Sequence, residues 1–302
     1  MSKETFRRTL RGKGPVSLKS STAKKREGEI LHIAKSPVIT MAPTTPIYDA
    51  IKIMAKEGFR RIPIADPGTK TLAGIVTATD LIDYLGGSKK FEIAQQKFSG
   101  NFFKAINEPI KLIMTQKVFT VKITSDIGEA IRIMKEKNIG GLPVVDQENH
   151  VRAIITERDI VHMFAGRMSG VKVSELMTNQ VITTPPHTTI FEAEKTMITY
   201  GFRRIPIVAD NKAIGMITAM DIIRFFGTGE VFKHIQSGTI TQVLNTQALQ
   251  IATKEVQTIE PEADVGRAAE IMREKNLGAL PVVQDEKLVG IITERDFFKI
   301  IE

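Results

Sequence analysis

The sequence predicts a mixed α/β protein made of four copies of one strand–helix–strand–strand–helix unit, each of about 55–60 residues. Three observations support this prediction. Four segments of the chain align with one another without a gap. This alignment covers 26 positions and contains apolar residues at the spacing of one helix face. Each aligned segment is followed by an apolar strand that leads into Thr-x-x-Asp. Because a unit of this size buries only a small core, we expect the units to pack in pairs.

Each repeat opens with a short apolar segment that is predicted to be a β-strand. The middle residue of this segment is apolar in the first three repeats and is glutamine in the fourth. The four segments contain Val38-Ile39-Thr40, Val118-Phe119-Thr120, Val181-Ile182-Thr183 and Val256-Gln257-Thr258.

A helix is predicted to follow, because positions i, i+3, i+4 and i+7 form one largely apolar face in every repeat. Thr45 is the predicted N-cap of the first of these helices, with Pro46 as its first residue. Four residues after the last position of each face stands a glycine or asparagine, which tolerates the left-handed conformation that closes a helix. The faces are Ile47-Ala50-Ile51-Met54, Ile127-Ala130-Ile131-Met134, Ile190-Ala193-Glu194-Met197 and Val265-Ala268-Ala269-Met272, and the closing residues are Gly58, Asn138, Gly201 and Asn276.

Two more strands and a short helix complete each repeat. The first of these strands is predicted to end at a proline, which is Pro63, Pro143, Pro206 or Pro281. The second strand ends in a threonine, and the aspartate three residues later is predicted to begin the second helix. These residues are Thr77 and Asp80, Thr156 and Asp159, Thr218 and Asp221, and Thr293 and Asp296.

The repeats alternate in type, which indicates a duplicated pair made of repeats one and two and of repeats three and four. Repeats one and three share Gly-Phe-Arg-Arg-Ile-Pro, whereas repeats two and four share Thr-Glu-Arg-Asp and have small residues where the arginines stand. The predicted divisions are a basic tail (1–30), repeat one (31–86), a helical insert (87–108), repeat two (109–168), repeat three (169–227), a second helical insert (228–248) and repeat four (249–302).

The formal charge of +8 is concentrated in residues 1–30, which carry nine basic and three acidic residues, a net charge of +6. This tail also contains Gly, Ser and Thr with little apolar periodicity, which predicts disorder. Two interpretations stay open at this point. The tail either contacts nucleic acid or another anionic surface, or it is a solubilising end without a specific partner.

Several classes of protein are excluded by composition and motifs. Cysteine is absent, which excludes disulfides and cysteine-ligated metals. The five histidines show no metal-binding spacing, and no apolar run approaches the ~18 residues of a membrane span. No triad, phosphate-binding loop or barrel-sized segment accompanies the repeats. We therefore predict a cytoplasmic protein that is not an enzyme, without a metal site or a membrane span.

The aspartate that recurs in Thr-x-x-Asp predicts a ligand site. Its carboxylate can accept hydrogen bonds from a vicinal diol such as the 2′- and 3′-hydroxyls of ribose, each worth about 1.5–3 kcal/mol. The threonine hydroxyl can add a bond, and the helix start offers backbone N–H groups that suit phosphate. The alternative is that the aspartates are plain helix N-caps and the threonines ordinary strand residues. Recurrence in all four repeats favours the binding role.

Arginine pairs stand on the short strand before the proline in repeats one and three. Because adjacent strand residues point to opposite faces, one arginine of each pair is expected to face inward, where its fork suits phosphate. The alternative is that they are surface arginines at sheet edges. The pairs are Arg60-Arg61 and Arg203-Arg204, and the residues at the same positions of the other repeats are Gly140, Gly141, Gly278 and Ala279.

Small residues at these positions either let a ligand approach closely or permit tight packing. Arg158 and Arg295 directly precede the aspartates of repeats two and four. Each either adds positive charge for a phosphate or is a solvated charge at a helix start.

These repeats resemble the CBS domain family over roughly residues 31–302, and the first strands, the Gly/Asn-x-x-x-x-Pro segments and the Thr-x-x-Asp sequences carry the resemblance. Four such units in one chain resemble the gamma regulatory subunit of AMP-activated protein kinase and stand-alone four-CBS proteins of archaea. The resemblance implies pairs of repeats, called Bateman modules, that assemble into a disk with nucleotide sites on a central channel.

The resemblance also implies roles for individual residues. The aspartates Asp80, Asp159, Asp221 and Asp296 bind ribose, with Thr77, Thr156, Thr218 and Thr293 beside them. Phosphate is bound by Arg60, Arg61, Arg203 and Arg204, with Arg158 and Arg295 as further cations. The adenine side is formed by Ile39, Phe119 and Ile182.

Departures from the family pattern lead us to expect fewer than four occupied sites. Gln257 replaces the apolar adenine-side residue in repeat four, and repeats two and four lack the arginine pair. Glu194 interrupts the apolar helix face of repeat three, which predicts a polar interface.

The function that the resemblance implies is a non-catalytic sensor of energy state that binds AMP, ADP or ATP and acts on a partner protein whose identity the sequence does not give. S-adenosylmethionine or a related adenosyl ligand is an alternative, and so is nucleic-acid binding through the tail. A homodimer is compatible with this function.

Overall fold

The computed structural model describes residues 29–87, 89–98, 101–229, 231 and 240–301. Nearly all of the basic tail and the segment 232–239 of the second insert lie outside the described residues. The tail's predicted disorder and nucleic-acid role therefore stay predictions.

The helices and strands follow the repeats in chain order. Repeat one contains α1 (Ile47–Glu57), β1 (Arg61–Ala65), β2 (Leu72–Thr77) and α2 (Ala78–Ile82), and it closes with a π-helical turn at Asp83–Gly87. The first insert holds α3 (Lys89–Phe98) and α4 (Phe102–Ile106). Repeat two contains β3 (Val121–Lys122), α5 (Ile127–Glu136), β4 (Gly141–Val145), β5 (Val151–Thr156) and α6 (Glu157–Val161).

The second half of the chain repeats this order. Repeat three contains α7 (Val173–Leu176), α8 (Ile190–Tyr200), β6 (Arg204–Ala209), β7 (Lys212–Thr218) and α9 (Ala219–Gly227). Helices α10 (Thr241–Leu244) and α11 (Ala248–Ile251) come next. Repeat four contains α12 (Val265–Glu274), β8 (Ala279–Gln284), β9 (Lys287–Thr293) and a closing 3-10 helix at Glu294–Lys299.

The first helix of each repeat buries the predicted face. In α1 the buried side chains are those of Ile47, Ala50, Ile51 and Met54. The predicted left-handed residues are also confirmed, with φ of +70° at Gly58, +71° at Gly201, +53° at Asn138 and +54° at Asn276.

The prediction that Thr45 caps α1 is wrong. The N-cap is Pro46, which forms no side-chain capping bond. The backbone of this segment is engaged elsewhere, because the Thr45 carbonyl accepts a hydrogen bond from Ile110 at 2.7 Å and the Ile47 amide donates to Glu108 at 2.9 Å. The helix start is therefore held by a neighbouring stretch of chain rather than by its own side chain.

The two main strands of each repeat form an antiparallel hairpin, β1 with β2, β4 with β5, β6 with β7 and β8 with β9. The prolines lie in the middle of the first strand and do not end it, because Pro63 pairs with Ile75 and the strand runs on to Ala65. The Pro63 carbonyl accepts a hydrogen bond from the Met41 amide at 3.2 Å.

The predicted opening strands are mostly single bridges. Met41, Thr184 and Ile259 each pair in parallel with one residue of the hairpin, and repeat two forms the two-residue strand β3. Each contact begins three residues after the valine that opens the predicted strand, so Ile39, Phe119 and Ile182 themselves lie outside regular strands.

The chain forms two compact units, each joining two repeats of the same type. The odd unit contains the described residues of repeats one and three (within Ile39–Val118 and Ile182–Val256), and the even unit contains those of repeats two and four (29–38, Phe119–Val181 and 257–301). Contacts thus group like repeats, in addition to the succession of repeats one and two and of repeats three and four along the chain. The helices of like repeats pack together, which the order of repeats along the chain does not reveal.

In the odd unit, α9 of repeat three packs on α1 of repeat one. Gly227 permits the close approach, because a Cβ atom there would lie 2.5 Å from the Ala55 Cβ and 3.2 Å from the Ile51 carbonyl oxygen. Ile51 and Phe226 are fully buried in the same core.

Gly227→Ala is expected to lower the free energy of unfolding by about 2 kcal/mol, because an added methyl overpacks this contact. The loss should appear even though alanine favours a helix by up to about 1 kcal/mol over glycine. Urea unfolding measures it, and Gly68→Ala is the matched control, because its Cβ would meet only Asp66 Oδ1 at 3.4 Å. Equal unfolding midpoints for the two variants would contradict the tight contact.

In the even unit, α6 packs against the 3-10 helix that closes repeat four. The rings of Phe164 and Phe297 meet there with centroids 5.7 Å apart.

Neighbouring segments extend the hairpins in both units. Within the even unit, Lys35 bridges to Ile154 of β5 and Thr178 to Ile291 of β9. Within the odd unit, Thr115 bridges to Ile75 of β2 and Thr253 to Met216 of β7. In all four cases the residue that completes a hairpin therefore comes from a different repeat.

Candidate functional site

The four Thr-x-x-Asp sequences form four equivalent capping boxes at the start of the second helix of each repeat. In every repeat the threonine is the N-cap and the aspartate is the third helical residue. The alternative that the aspartates cap the helix is correct in that each carboxylate takes part in a capping box. Its detail is wrong, because the N-cap is the threonine and the helix begins two residues before the aspartate.

One carboxylate oxygen of each aspartate is used by its own threonine. Asp80 Oδ2 accepts from the Thr77 backbone N–H at 2.8 Å and from its hydroxyl at 2.6 Å. The corresponding distances are 2.8 and 2.6 Å in repeat two, 2.9 and 2.6 Å in repeat three, and 2.8 Å for both in repeat four. A ligand diol must therefore rely chiefly on Oδ1.

The Oδ1 atoms differ among the repeats. A cation contacts Oδ1 in three of them, at 2.5 Å from Lys90 to Asp80, 3.2 Å from Arg224 to Asp221 and 2.8 Å from Lys299 to Asp296. Among the described residues, Asp159 Oδ1 has no hydrogen-bond or ion-pair partner. Burial raises the pKa of Asp159 and of Asp221, and the threonine hydrogen bonds oppose this shift in both.

Sequence reasoning missed these cations. Arg224 and Lys299 stand three residues after their aspartates, on the same helix face, and this spacing could have revealed them. Lys90 could not have been found this way, because it reaches Asp80 from α3 in the insert.

In the odd unit, the predicted phosphate-binding residues lie beside the capping boxes. Arg61 is the direct cross-strand neighbour of Thr77, and Arg204 is that of Thr218. Direct neighbours on an antiparallel pair share one face, with Cβ atoms about 4.5–5.5 Å apart. The preceding arginines contribute backbone instead, since the Arg60 carbonyl accepts from the Ala78 amide at 2.8 Å and the Arg203 carbonyl from the Ala219 amide at 2.9 Å.

The even unit has the same backbone with small side chains. Gly141 lies opposite Thr156, and Ala279 lies opposite Thr293. The Gly140 carbonyl accepts from the Glu157 amide at 3.2 Å, and the Gly278 carbonyl from the Glu294 amide at 3.0 Å. The space beside these two capping boxes is therefore not filled by an arginine of the same hairpin.

Arg158 and Arg295, predicted as phosphate ligands, are engaged in ion pairs within the even unit. Arg158 Nε donates to Glu294 Oε1 at 2.8 Å, and Arg295 Nε donates to Glu157 Oε1 at 2.6 Å. Both glutamates are almost completely buried, with relative exposures of 1% for Glu157 and 2% for Glu294. The pairs are reciprocal between repeats two and four, so the geometry gives these arginines a packing role and gives no support to the phosphate role.

Two of the predicted adenine-side residues are exposed apolar side chains. Ile39 is 42% exposed and Phe119 is 49% exposed, while Ile182 is half-buried. The Lys137 ammonium lies 5.4 Å from the centroid of the Phe119 ring. Exposed apolar faces of this kind are suited to stacking on a planar base, and Gln257 supplies no such face in repeat four.

Glu194 was predicted to mark a polar interface, and this prediction is wrong. Its side chain is completely buried in the odd unit, and neither carboxylate oxygen has a hydrogen-bond partner among the described residues. It packs on Gly86, which Leu244 also contacts. Burial raises the pKa of Glu194 well above its ordinary value, so the neutral acid is the stable form there.

A group of three possible metal ligands occurs at the β4–β5 turn. Single ligand atoms of Asp146, Glu148 and His150 lie within 4.8 Å of one another. The Asp146 carboxylate already binds Arg152, with Nη2 to Oδ2 at 2.7 Å, and His150 Nδ1 lies 3.0 Å from the same oxygen. Because a permanent cation occupies this carboxylate, we assign no metal role to the group.

Comparison with known proteins gives four matches to one family model, described as the CBS domain, at residues 29–87, 110–166, 173–227 and 248–302. The protein MJ1225 of Methanocaldococcus jannaschii is 35% identical over 273 residues, covering 89% of this chain and 98% of that protein. A 33.4 kDa protein from the ribosomal RNA operon of Thermofilum pendens is 31% identical, covering 88% of this chain and 89% of that protein.

Solved structures share the fold. The crystal structure of MJ1225, a proposed archaeal homologue of γ-AMPK, matches with a TM-score of 0.85 at 35% identity, covering 90% of this chain and 99% of that one. A conserved protein from Pyrococcus horikoshii matches with a TM-score of 0.57 at 19% identity, over 89% of this chain and 97% of that one. Among the residues described in this structure, no helix combines the length and apolar character needed to cross a bilayer.

Proposed function

The chain belongs to the CBS domain family, and we propose that it is a non-catalytic regulatory protein that binds adenine nucleotides and acts on a partner protein. One observation carries the proposal: in repeats one and three, an arginine lies directly across the hairpin from the threonine of a Thr-x-x-Asp capping box. A carboxylate that can accept from a ribose diol and a guanidinium suited to phosphate thus share one face.

The relatives support the same function. MJ1225 covers nearly the whole of this chain, and its structure is described as that of a proposed homologue of γ-AMPK. A nucleotide alters a partner's activity only by binding one arrangement of the protein better than another. We therefore propose sensing of energy state through AMP, ADP or ATP, in the cytoplasm.

The even unit favours a second class of ligand for repeats two and four. Gly141 and Ala279 replace the arginines there, and Arg158 and Arg295 are bound to buried glutamates. An adenosyl ligand without a polyphosphate, such as S-adenosylmethionine, fits a pocket with less positive charge. Both classes can bind one chain, at different repeats.

Removal of the two cross-strand arginines tests the phosphate role. The double variant R61M/R204M is expected to weaken ADP and ATP binding about tenfold or more while changing adenosine binding little, because only the phosphates contact the guanidinium groups. Isothermal titration of the full chain with adenosine, AMP, ADP, ATP and S-adenosylmethionine measures this. Arg267→Met is the control, since this arginine is 57% exposed and pairs with Glu270 on α12.

Two results would contradict parts of the proposal. Equal loss for adenosine and ATP in R61M/R204M would exclude the phosphate role of the arginines. Wild-type protein that binds no adenine compound would exclude the nucleotide assignment. If the wild type binds, the double variant D80A/D221A is expected to lose nucleotide binding at repeats one and three.

A further inference from the structure

The number of acceptor positions left on each aspartate limits what its site can bind. A carboxylate oxygen has two lone pairs for hydrogen bonds. In all four repeats Oδ2 already accepts from the threonine amide and the threonine hydroxyl. A ribose diol that donates two hydrogen bonds therefore needs both positions of Oδ1.

In repeats one and four, a lysine occupies one of these positions in the same way. Lys90 Nζ contacts Asp80 Oδ1 and donates to the Ile113 carbonyl at 3.0 Å. Lys299 Nζ lies 2.8 Å from Asp296 Oδ1 and donates to the Leu176 carbonyl at 2.6 Å. The two carbonyls are equivalent, because each lies two residues before the bridge residue, Thr115 or Thr178, that completes the hairpin.

The two lysines come from different places in their repeats. Lys90 lies ten residues after its aspartate on α3, and Lys299 lies three residues after its aspartate. Two unrelated sequence positions thus deliver an ammonium group to one location. The location itself, between a carboxylate oxygen and a carbonyl oxygen, therefore selects a cation, and chain connectivity does not explain it.

Repeat two differs at the same place. The residue three positions after Asp159 is His162, whose Nε2 is buried without a hydrogen-bond partner among the described residues. The charged groups acting on this ring are Asp159, Arg158, Glu294 and Lys35. The charge of Lys35 acts on Asp159, but no ammonium or guanidinium group within the described chain forms an ion pair with its Oδ1. Both positions of this oxygen therefore remain for a ligand.

We propose that Lys90 and Lys299 are built-in competitors of the ribose diol, so that Asp159 in repeat two is the aspartate best able to accept both ribose hydroxyls. This inference rests on the proposed function and assigns a rank to its sites. When adenosine binds at repeat one or four, Lys90 or Lys299 limits Oδ1 to one hydroxyl or must leave it. Lysine at this position thus weakens discrimination between ribose and deoxyribose.

Lys90→Met tests the competition, because methionine keeps much of the side-chain length and removes the ammonium. Titration of the full chain with adenosine and with 2′-deoxyadenosine is expected to show about tenfold tighter adenosine binding at one site in K90M, the gain from one additional charge-assisted hydrogen bond. The affinity for 2′-deoxyadenosine should stay within about twofold, because the 3′-hydroxyl, the one hydroxyl left of the diol, already has an acceptor on Oδ1. K299M is expected to show the same gain in adenosine affinity at the site of repeat four.

Two controls make the result specific. Lys97→Met is the same substitution on the same helix, at a lysine that pairs with Glu108 near the surface. The K97M variant should bind adenosine and 2′-deoxyadenosine with wild-type affinity. The gain in K90M should disappear in the double variant D80A/K90M, since the competition is for Asp80. Thermal unfolding of each variant verifies that it is folded, and K299M provides an independent test if K90M is not.

The outcomes separate this inference from the proposed function. Adenosine affinity that is unchanged or weaker in both K90M and K299M, while the wild type binds, would overturn the competition and leave nucleotide binding intact. A gain that persists in D80A/K90M would also overturn it. Failure of every variant and of the wild type to bind adenosine, AMP, ADP or ATP would overturn the proposed function and the inference together.

Discussion

Arg158→Met is expected to lower the free energy of unfolding of the even unit by about 3 kcal/mol, because it breaks an ion pair with a buried carboxylate. Arg158 is 13% exposed and Glu294 is 2% exposed, so water can compensate little for the lost guanidinium. The variant also loses the bond from Arg158 Nη1 to Asn276 Oδ1. Urea unfolding, followed by amide hydrogen exchange in β9, measures the loss and assigns it to the even unit.

The reciprocal ion pair between Arg295 and Glu157 provides a comparison for this loss of stability. Arg295 is 36% exposed, so Arg295→Met is expected to cost less, about 1 kcal/mol. The double variant R158M/E294M should recover most of the stability, because it removes the buried charge together with its partner. A single variant R158M as stable as the wild type would show that the pair is weak. No recovery in the double variant would show that the loss came from packing of the arginine stem.

The sequence was sufficient for features that depend on local periodicity. The buried faces of α1, α5, α8 and α12 follow from apolar spacing, and the left-handed residues such as Gly58 and Asn138 follow from residue type. The family and the mixed α/β class follow from the fourfold recurrence of these patterns. These signals lie within a few residues of one another, where local geometry decides the outcome.

Features that depend on which segments meet could not be predicted in this way. Arg158 meets Glu294 at a separation of 136 residues, and Arg295 meets Glu157 at a separation of 138 residues. The interpretation of these arginines as phosphate ligands considered only their neighbours in sequence. Lys90 depends in the same way on where the insert helix α3 lies, and Lys35 completes a hairpin of repeat two although it lies in repeat one. Pairing across repeats is decided by tertiary packing.

Glu194 shows how one residue can depart from a repeated pattern at a cost in stability. Its counterparts in the other repeats are Ile51, Ile131 and Ala269, all buried and apolar. Its carboxyl packs so closely on Gly86 that a Cβ atom at that glycine would overlap Oε2. Gly86 lies in the π-helical turn Asp83–Gly87, whereas the equivalent Gly227 lies in the regular helix α9. The departure from regular helix thus occurs where the acid stands.

Glu194→Met is expected to raise the free energy of unfolding at pH 7 by about 2 kcal/mol, because it replaces a buried carboxyl that lacks hydrogen bonds with an apolar chain of similar length. The gain should depend on pH. Burial raises the pKa of Glu194 in the folded protein, whereas in the unfolded chain it is about 4.3. At pH values between the unfolded and the folded pKa, the folded state binds more protons than the unfolded state. The free energy of unfolding of the wild type therefore falls by about 1.4 kcal/mol per pH unit as the pH rises through this range.

Urea unfolding of wild type and E194M at pH 4 and pH 7 separates the two contributions. Near pH 4 the acid is largely neutral in both states, so the difference between the proteins should be small and reflect only the burial of a neutral polar group. At pH 7 the difference should be larger, because the unfolded wild type gains the free energy of ionisation. Ile51→Met is the matched control at the equivalent position, and it should change stability by less than about 1.5 kcal/mol at either pH. A difference between E194M and wild type that is the same at both pH values would mean that Glu194 ionises equally in the folded and unfolded chains, and that a partner stabilises its charge.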